Sequence, residues 1–202
     1  MKPVEHYAKL ISAVSQPAHI QMGRDRQIIS LFQYPEPVVF ILHEGTVSLY
    51  RGHDHLLMAN LKAPIAIGFN FLVEKNQDIY FQARGVVAFE LVSRSTCLEI
   101  ITSNNLWESV AYSFMFTTES FTQNHFLSTG VSTYELVCNN LQILMEEDES
   151  LRLRTNACDF IQEKTSLSRS GIMKMLGDLK KGGYIELQRG VLLKIHKLPI
   201  KY

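Results

Sequence analysis

Between residues 26 and 101 the chain strings together six short β-type segments with no helical period between them. "RQIISLF", "PVVFILHEG", "TVSLYRG", "HLLMANL", "IYFQAR" and "VAFELVS" are rich in β-branched and aromatic residues, and Gly, Pro, Asn and Asp punctuate them. Thr46–Tyr50 alternates polar with apolar, as a half-buried strand does, and "RGHDH" suits a hairpin turn. Strands at this spacing, with no intervening helix, predict a sandwich or barrel.

The pattern changes near Ser103. From there to Leu127 the chain reads as one long helix. Helical spacing puts Leu106, Trp107, Val110, Phe114, Thr117 and Phe121 on one face, and Tyr112, Met115, Phe116, Phe126 and Leu127 on much of the other. A helix apolar on two sides is buried on two sides. One side can cover the barrel and the other can meet a second copy of the chain, so Leu106, Val110, Phe114 and Phe121 are read as a dimerisation helix. A central helix within a monomer is the plainer alternative. Gly130 breaks the pattern. A shorter helix follows over Ser132–Met145, with Val137, Leu141 and Leu144 inward, and the acidic run Glu146–Glu149 ends it.

Charge is unevenly spread. The 202 residues carry no net charge, yet from Ser150 onward eleven basic residues face four acidic ones, a surplus of seven. Such a split predicts that the C-terminal piece meets a polyanion. A solvated basic face is the bland reading.

The C-terminal motif decides between them. Ala157–Lys164 reads as a short helix, Thr165–Leu167 as a turn, and the stretch from Ser168 to about Lys181 as a second helix with Ser168 as its N-cap. Gly182 and Gly183 suit its exit. "YIELQ", "RG" and "VLLKI" then form a hairpin wing. On the second helix Ile172, Met175, Leu176 and Leu179 cluster on one side, while Ser170, Met173, Lys174, Gly177 and Lys181 point the opposite way. A recognition helix needs this arrangement: an apolar back, and a narrow front of small, polar and basic side chains. Arg169 can reach a guanine edge with two hydrogen bonds, Lys174 and Lys181 can meet bases or phosphates, and Arg189 at the wing tip suits a phosphate. Ser168, Arg169, Ser170, Lys174, Lys181 and Arg189 are therefore the expected contacts to double-stranded DNA. The turn has no glycine, whereas Gly171 and Gly177 lie inside the second helix.

Barrel, long helix, short helix and winged helix-turn-helix in this order resemble the Crp/Fnr superfamily of bacterial transcription regulators, over nearly the whole chain. "VVFILHEGTVSLYRG" looks like the family's strand–glycine–strand hairpin, and "LSRSGIMKMLGDLKKGGYI" like its recognition helix and wing. "NNLWESV" and the ending "IHKLPIKY" resemble more narrowly the enterobacterial IprA-like group, which is associated with resistance to oxidative stress. The resemblance implies an α+β fold: a cyclic-nucleotide-binding-like β-barrel (jelly roll) over residues 1–102, a connecting and dimerising helix over 103–128, and a winged helix-turn-helix over 129–202. It also implies that "IGFNFLVEKNQDIYFQAR" aligns with the phosphate-binding cassette. Cyclic-nucleotide binders have glycine-glutamate there, and an arginine–serine pair further on. Here Gly68 is kept, Phe69 stands at the glutamate position, and Ile79 and Tyr80 occupy the arginine–serine positions. Phe69 and Phe71 flank Asn70. A phosphate buried without its arginine bears its desolvation cost alone, and the offset of Arg84 makes it a poor substitute. The stretch is a degenerate nucleotide pocket, and the pattern argues against cyclic AMP.

No cysteine precedes Cys97, so the N-terminal cysteine cluster of the superfamily's iron–sulfur regulators is missing. Cys97, Cys138 and Cys158 are odd in number and far apart, which argues against a disulfide framework and a structural zinc site. Each reads as a small buried hydrophobe, with a redox role left open. His53 and His55 invite comparison with a metal-dependent barrel enzyme, but Ala59 and Asn60 stand where a ligating glutamate belongs, so solvated side chains are expected. The expectation is a homodimeric, cytoplasmic, DNA-binding regulator without enzymatic activity, cofactor, metal or membrane span, its effector unknown. An apolar effector beside Phe69, Phe71 and Ile79 stays possible in principle, as does a sensor acting through protein partners with a vestigial DNA-binding domain.

Overall fold

A computed structural model describes residues 2–69 and 78–199, which fall into two compact units, Met1–Phe121 and Thr122–Tyr202. The expected flank of Phe69 by Asn70 and Phe71, and the last residues of "IHKLPIKY", lie outside the described residues.

The first unit begins with α1 (Val4–Val14), which the sequence reading did not anticipate, although Tyr7, Leu10, Ile11 and Val14 fall at helical spacing and are buried. Among the described residues eight strands follow: β1 (Gln21–Gly23), β2 (Ile28–Ser30), β3 (Val38–Glu44), β4 (Thr46–Arg51), β5 (Leu57–Lys62), β6 (Ile65–Ile67), β7 (Ile79–Ala83) and β8 (Val87–Ser93). They form two four-stranded sheets, ordered β1-β8-β3-β6 and β2-β7-β4-β5, and the pairings within them are antiparallel. The expected barrel is thus a two-sheet jelly roll: among the described residues no ladder closes one sheet onto the other.

Three aromatic rings meet in its core. Phe40 of β3 stacks on Phe81 of β7 at 3.9 Å between centroids, and Phe89 of β8 lies 5.8 Å from Phe40. Every residue from Val38 to Leu42 is buried, because β3 has cover on both faces. One face turns to the other sheet. The opposite face lies under α1 and α2 (Arg94–Ser103), which pack on each other and on β6, β3 and β8. Glu90 of β8 is wholly buried, yet fully engaged. Its carboxylate accepts from the Ser15 hydroxyl at 2.8 Å and the Gln16 amide at 2.9 Å, with the His43 ring at 3.3 Å. A buried carboxyl group needs such hydrogen-bond partners, and these fix the exit of α1 to β8.

Thr46–Tyr50 departs from simple alternation. Val47 and Leu49 point into the core as expected, but Ser48 and Tyr50 on the other face are also buried. The Ser48 hydroxyl donates to Asn60 Oδ1 at 2.7 Å and accepts from Arg84 Nε at 2.6 Å. A second Arg84 nitrogen donates to the Tyr50 hydroxyl.

The expected helix from Ser103 to Leu127 corresponds to one helix, α3 (Trp107–Ser128), that starts four residues later, and α2 before it was not expected. α2 ends at Ser103, and Asn105 takes a left-handed φ of 53° before α3 begins. A break of this kind is invisible to apolar periodicity, which continues across it.

In the second unit, α4 (Thr133–Glu146) starts on a capping box between Ser132 and Glu135 and buries Val137, Leu141 and Leu144 completely, as expected. A single turn, α5 (Glu149–Arg152), leads to α6 (Ala157–Lys164), α7 (Arg169–Lys181), β9 (Ile185–Gln188) and β10 (Val191–Ile195).

Candidate nucleic-acid interface

The helix-turn-helix matches its sequence reading almost residue for residue. Asn156 caps α6 by accepting from the Cys158 and Asp159 amides, and Ser168 caps α7 by accepting from the Gly171 amide at 3.3 Å. Each cap satisfies amides that the first turn leaves without partners. Ile172, Leu176 and Leu179 of α7 are buried against the unit's core, with Met175 partly so. At the other end α7 stops at Gly182, and the Tyr184 amide reaches back to the Leu179 carbonyl at 3.0 Å.

All six residues expected to meet DNA (Ser168, Arg169, Ser170, Lys174, Lys181 and Arg189) are exposed. Met173 is 52% exposed among them, and Gly177 leaves open space where a side chain would stand. A glycine inside a helix costs up to ~1 kcal/mol, and at Gly177 the described residues leave room for a Cβ. The cost is therefore not imposed by packing.

The wing turns on Arg189 and Gly190, with φ of 51° and 85°. Two left-handed residues suit a tight hairpin whose twist matches its strands. Asparagine or glycine fits that conformation at low cost, whereas an arginine there costs about 1 kcal/mol. The wing is tied to the start of α6 at its turn: the Ala157 amide donates to the Gly190 carbonyl at 2.8 Å. A cleft of about 380 Å³ opens between α7 and the wing, lined by Asn156, Arg169, Met173, Gly177, Lys180 and Arg189 among others.

Asp159, on α6, did not emerge from the sequence. Its carboxylate accepts from Arg169 Nη1 across the turn, and both side chains remain about half exposed. Sequence could have offered only the three-residue turn, which brings the first turns of α6 and α7 together. The Asp159 hydrogen bond also holds the Arg169 guanidinium above its ordinary pKa. Lys180, on the cleft wall, was likewise passed over.

The degenerate pocket is only partly assembled. Phe69 and Ile79 are 6% and 8% exposed within the hydrophobic core that contains Phe81. Gly68 has a φ of 125°, and a Cβ there would sit 2.7 Å from the Val38 carbonyl oxygen. Backbone packing alone therefore demands that glycine. Tyr80 is on the opposite face of β7. It stacks on Tyr50 at 5.1 Å, its hydroxyl is 3.2 Å from His55 Nδ1, and Arg84 shares that side through Ser48 and Tyr50. His53 and His55 are exposed, as expected.

On α3, three of the four residues expected to form a dimer face are taken up by their own unit. Val110 is 3% exposed, Phe114 packs on the core, and Leu106 does so from the break before the helix. Phe121 is 44% exposed. The exposed stripe instead runs through Trp107, Ala111, Met115, Thr118, Thr122 and Phe126, spaced by fours and threes. Of its large apolar members, Trp107, Met115 and Phe126 are 47%, 64% and 71% exposed. No helix among the described residues is long and apolar enough to cross a membrane.

Comparison with known proteins agrees with this geometry. Residues 133–200 match the family model described as winged helix-turn-helix DNA binding. Over its whole length the chain is 29% identical to a Salmonella typhimurium protein named inhibitor of hydrogen peroxide resistance, and 26% identical to its Escherichia coli namesake; 98% of each relative is covered. Among solved structures, CLP of Xanthomonas campestris, a regulator described as responsive to c-di-GMP, superposes with a TM-score of 0.76 at 12% identity, covering 96% of this chain and all of the other. A CooA variant from Carboxydothermus hydrogenoformans gives 0.60 at 14% identity, over 87% and 82% of the two chains. The chain has the fold of the Crp/Fnr regulators, carries a winged helix-turn-helix at its C-terminal end, and resembles the IprA-like group along its full length.

Proposed function

We propose that this chain is a cytoplasmic, homodimeric transcription regulator that binds double-stranded DNA through α7 and its wing, without a cyclic nucleotide and without enzymatic activity. The observation that carries the reading is the α7 face: Arg169, Ser170, Lys174 and Lys181 are exposed beside Gly177, while the opposite face is buried. Arg169, Ser170 and Lys174 read base edges, Ser168 caps the reading helix, and Lys181 and Arg189 hold phosphates. Arg189 supports this as well, since it occupies a costly backbone conformation at the wing tip.

The stripe on α3 that contains Met115 and Phe126 is the dimer seam in this reading. Its spacing of mostly fours keeps it on one side of the helix, where a second helix could lie against it. Two copies present two reading helices to a divided site. The sheet unit contributes no nucleotide switch: Phe69 and Ile79 lie in the core, and Arg84 is bonded to Ser48 and Tyr50 on the far side of the sheet.

The names of the relatives support a role in the response to hydrogen peroxide. All three thiols are buried, and burial pushes Cys97 up to about 12 and raises Cys138 and Cys158. Protonated, buried thiols react slowly with peroxide, so in this reading the chain acts on genes of that response without sensing the oxidant through these cysteines. A gel-shift series on genomic fragments tests the proposal. At least one fragment is retarded at protein concentrations that leave random DNA unbound; if none is, the regulator reading fails.

A further inference from the structure

Arg169 is the one residue in the DNA-reading set whose side chain is held by a carboxylate in the described structure. Asp159 is in the first turn of α6, where the Asn156 cap receives its amide, and its Oδ1 accepts from Nη1 of Arg169 at the start of α7. An arginine at the exposed start of a reading helix has two kinds of partner on DNA. It can swing to a phosphate, which carries no sequence information, or fork onto guanine O6 and N7. A carboxylate bonded to Nη1 bears on that choice in two ways. It places a negative charge where a phosphate would approach, which disfavours the uninformative contact. It also ties the guanidinium at one nitrogen, Nη1, which restricts how freely the group can swing.

We propose that Asp159 is a positioning residue for base selection: by holding Arg169 it directs the guanidinium to a guanine edge and denies it to the DNA backbone. This rests on the DNA-binding reading above and deepens it. Asp159 need not touch DNA; it acts through Arg169. Three side chains beside the pair, Ser168, Ser170 and Cys158, have no charge that could substitute for it; the Cys158 thiol instead points at the Arg169 carbonyl, 3.9 Å away.

The test uses the full-length protein and a DNA fragment selected by it from a random pool. Affinities are measured by fluorescence anisotropy for that fragment and for a set of variants, each with one base pair replaced. A guanine read by two hydrogen bonds is discriminated about tenfold or more. The parent shows this discrimination at one G·C pair per half-site, and Arg169→Ala abolishes it there. Asp159→Ala reduces it at the same pair to under about threefold, leaves it intact elsewhere, and strengthens binding to random DNA with a steeper salt dependence, as one more cation meets phosphate. Asp159→Asn, which keeps shape and cap geometry, gives an intermediate loss and guards against a folding defect in the alanine variant. In the Arg169→Ala background neither Asp159 substitution has a further effect.

The proposal is overturned if Asp159→Ala weakens discrimination equally at every pair, leaves it unchanged, or acts in the same way without Arg169. If the parent binds no DNA preferentially, the regulator reading itself fails, and that outcome is distinct from a parent that discriminates independently of Asp159.

Discussion

The space between the two sheets and the outer face of α7 have opposite characters, although both are places where a regulator of this fold could meet a charged ligand. Between the sheets, Phe81 and Phe89 both meet Phe40, and Phe69 and Ile79 join the same buried cluster. On α7, small and basic side chains stay exposed, and a glycine keeps the surface low. The first region gains stability from every apolar atom it encloses. The second forgoes that gain, and a helix that spends propensity on Gly177 and a turn that strains Arg189 is shaped by something other than folding. The contrast teaches that the outer face of α7 stays open to a partner, while Phe69 and Ile79, expected in a degenerate pocket, lie in the core.

The largest effect expected is on the core side of this comparison. Phe81→Ala removes a fully buried ring stacked on Phe40 and destabilises the protein by about 3–5 kcal/mol. Chemical denaturation measures it. A loss under about 1 kcal/mol would mean that the space between the sheets is loosely filled and open to a ligand. Next in size is assembly: Met115→Glu puts a charge in the exposed stripe of α3. Sedimentation then shows a monomer, and affinity for a two-half-site operator falls by roughly a hundredfold or more, because linked binding is lost. An unchanged dimer would place the contact elsewhere. Smaller still is the wing. Arg189→Asn relieves a left-handed arginine and raises stability by about 1 kcal/mol, while the slope of log affinity against log salt becomes shallower by about one. A stability gain without a change in slope would separate the strain from DNA contact. The smallest effect concerns the thiols. Cys97, Cys138 and Cys158 react slowly with a disulfide reagent in the native protein and promptly after unfolding; fast native labelling would reopen a redox role.

The C-terminal unit was legible in the sequence because its signals are local. Ser168 and Gly171 are three residues apart, Ile172, Leu176 and Leu179 repeat at helical spacing, and Arg189-Gly190 sits between two strand-like runs. The first unit was legible in class but not in detail. α1 does not emerge from the sequence even though its four buried residues have helical spacing, and α2 does not emerge because Cys97 and Ile101 give it only a faint apolar stripe. Closure of a barrel depends on pairings between distant strands, which alternation cannot reveal. The packing of α3 was hard to read for a related reason. Both sides of α3 are apolar, and only the packing of Val110 and Phe114 on their own core shows which side remains. Asp159 stayed hidden because its meaning comes from a partner ten residues away across a turn.

The central claim, that α7 reads DNA, is tested most directly by titrating one selected genomic fragment and random DNA with the parent protein and with an Arg169→Ala, Lys174→Ala double variant. The parent prefers the fragment by about a thousandfold, within the usual range for specific recognition. The double variant, with an unchanged melting temperature, falls to within about threefold of its random-DNA affinity. A parent without preference, or a double variant that keeps it, would contradict the account.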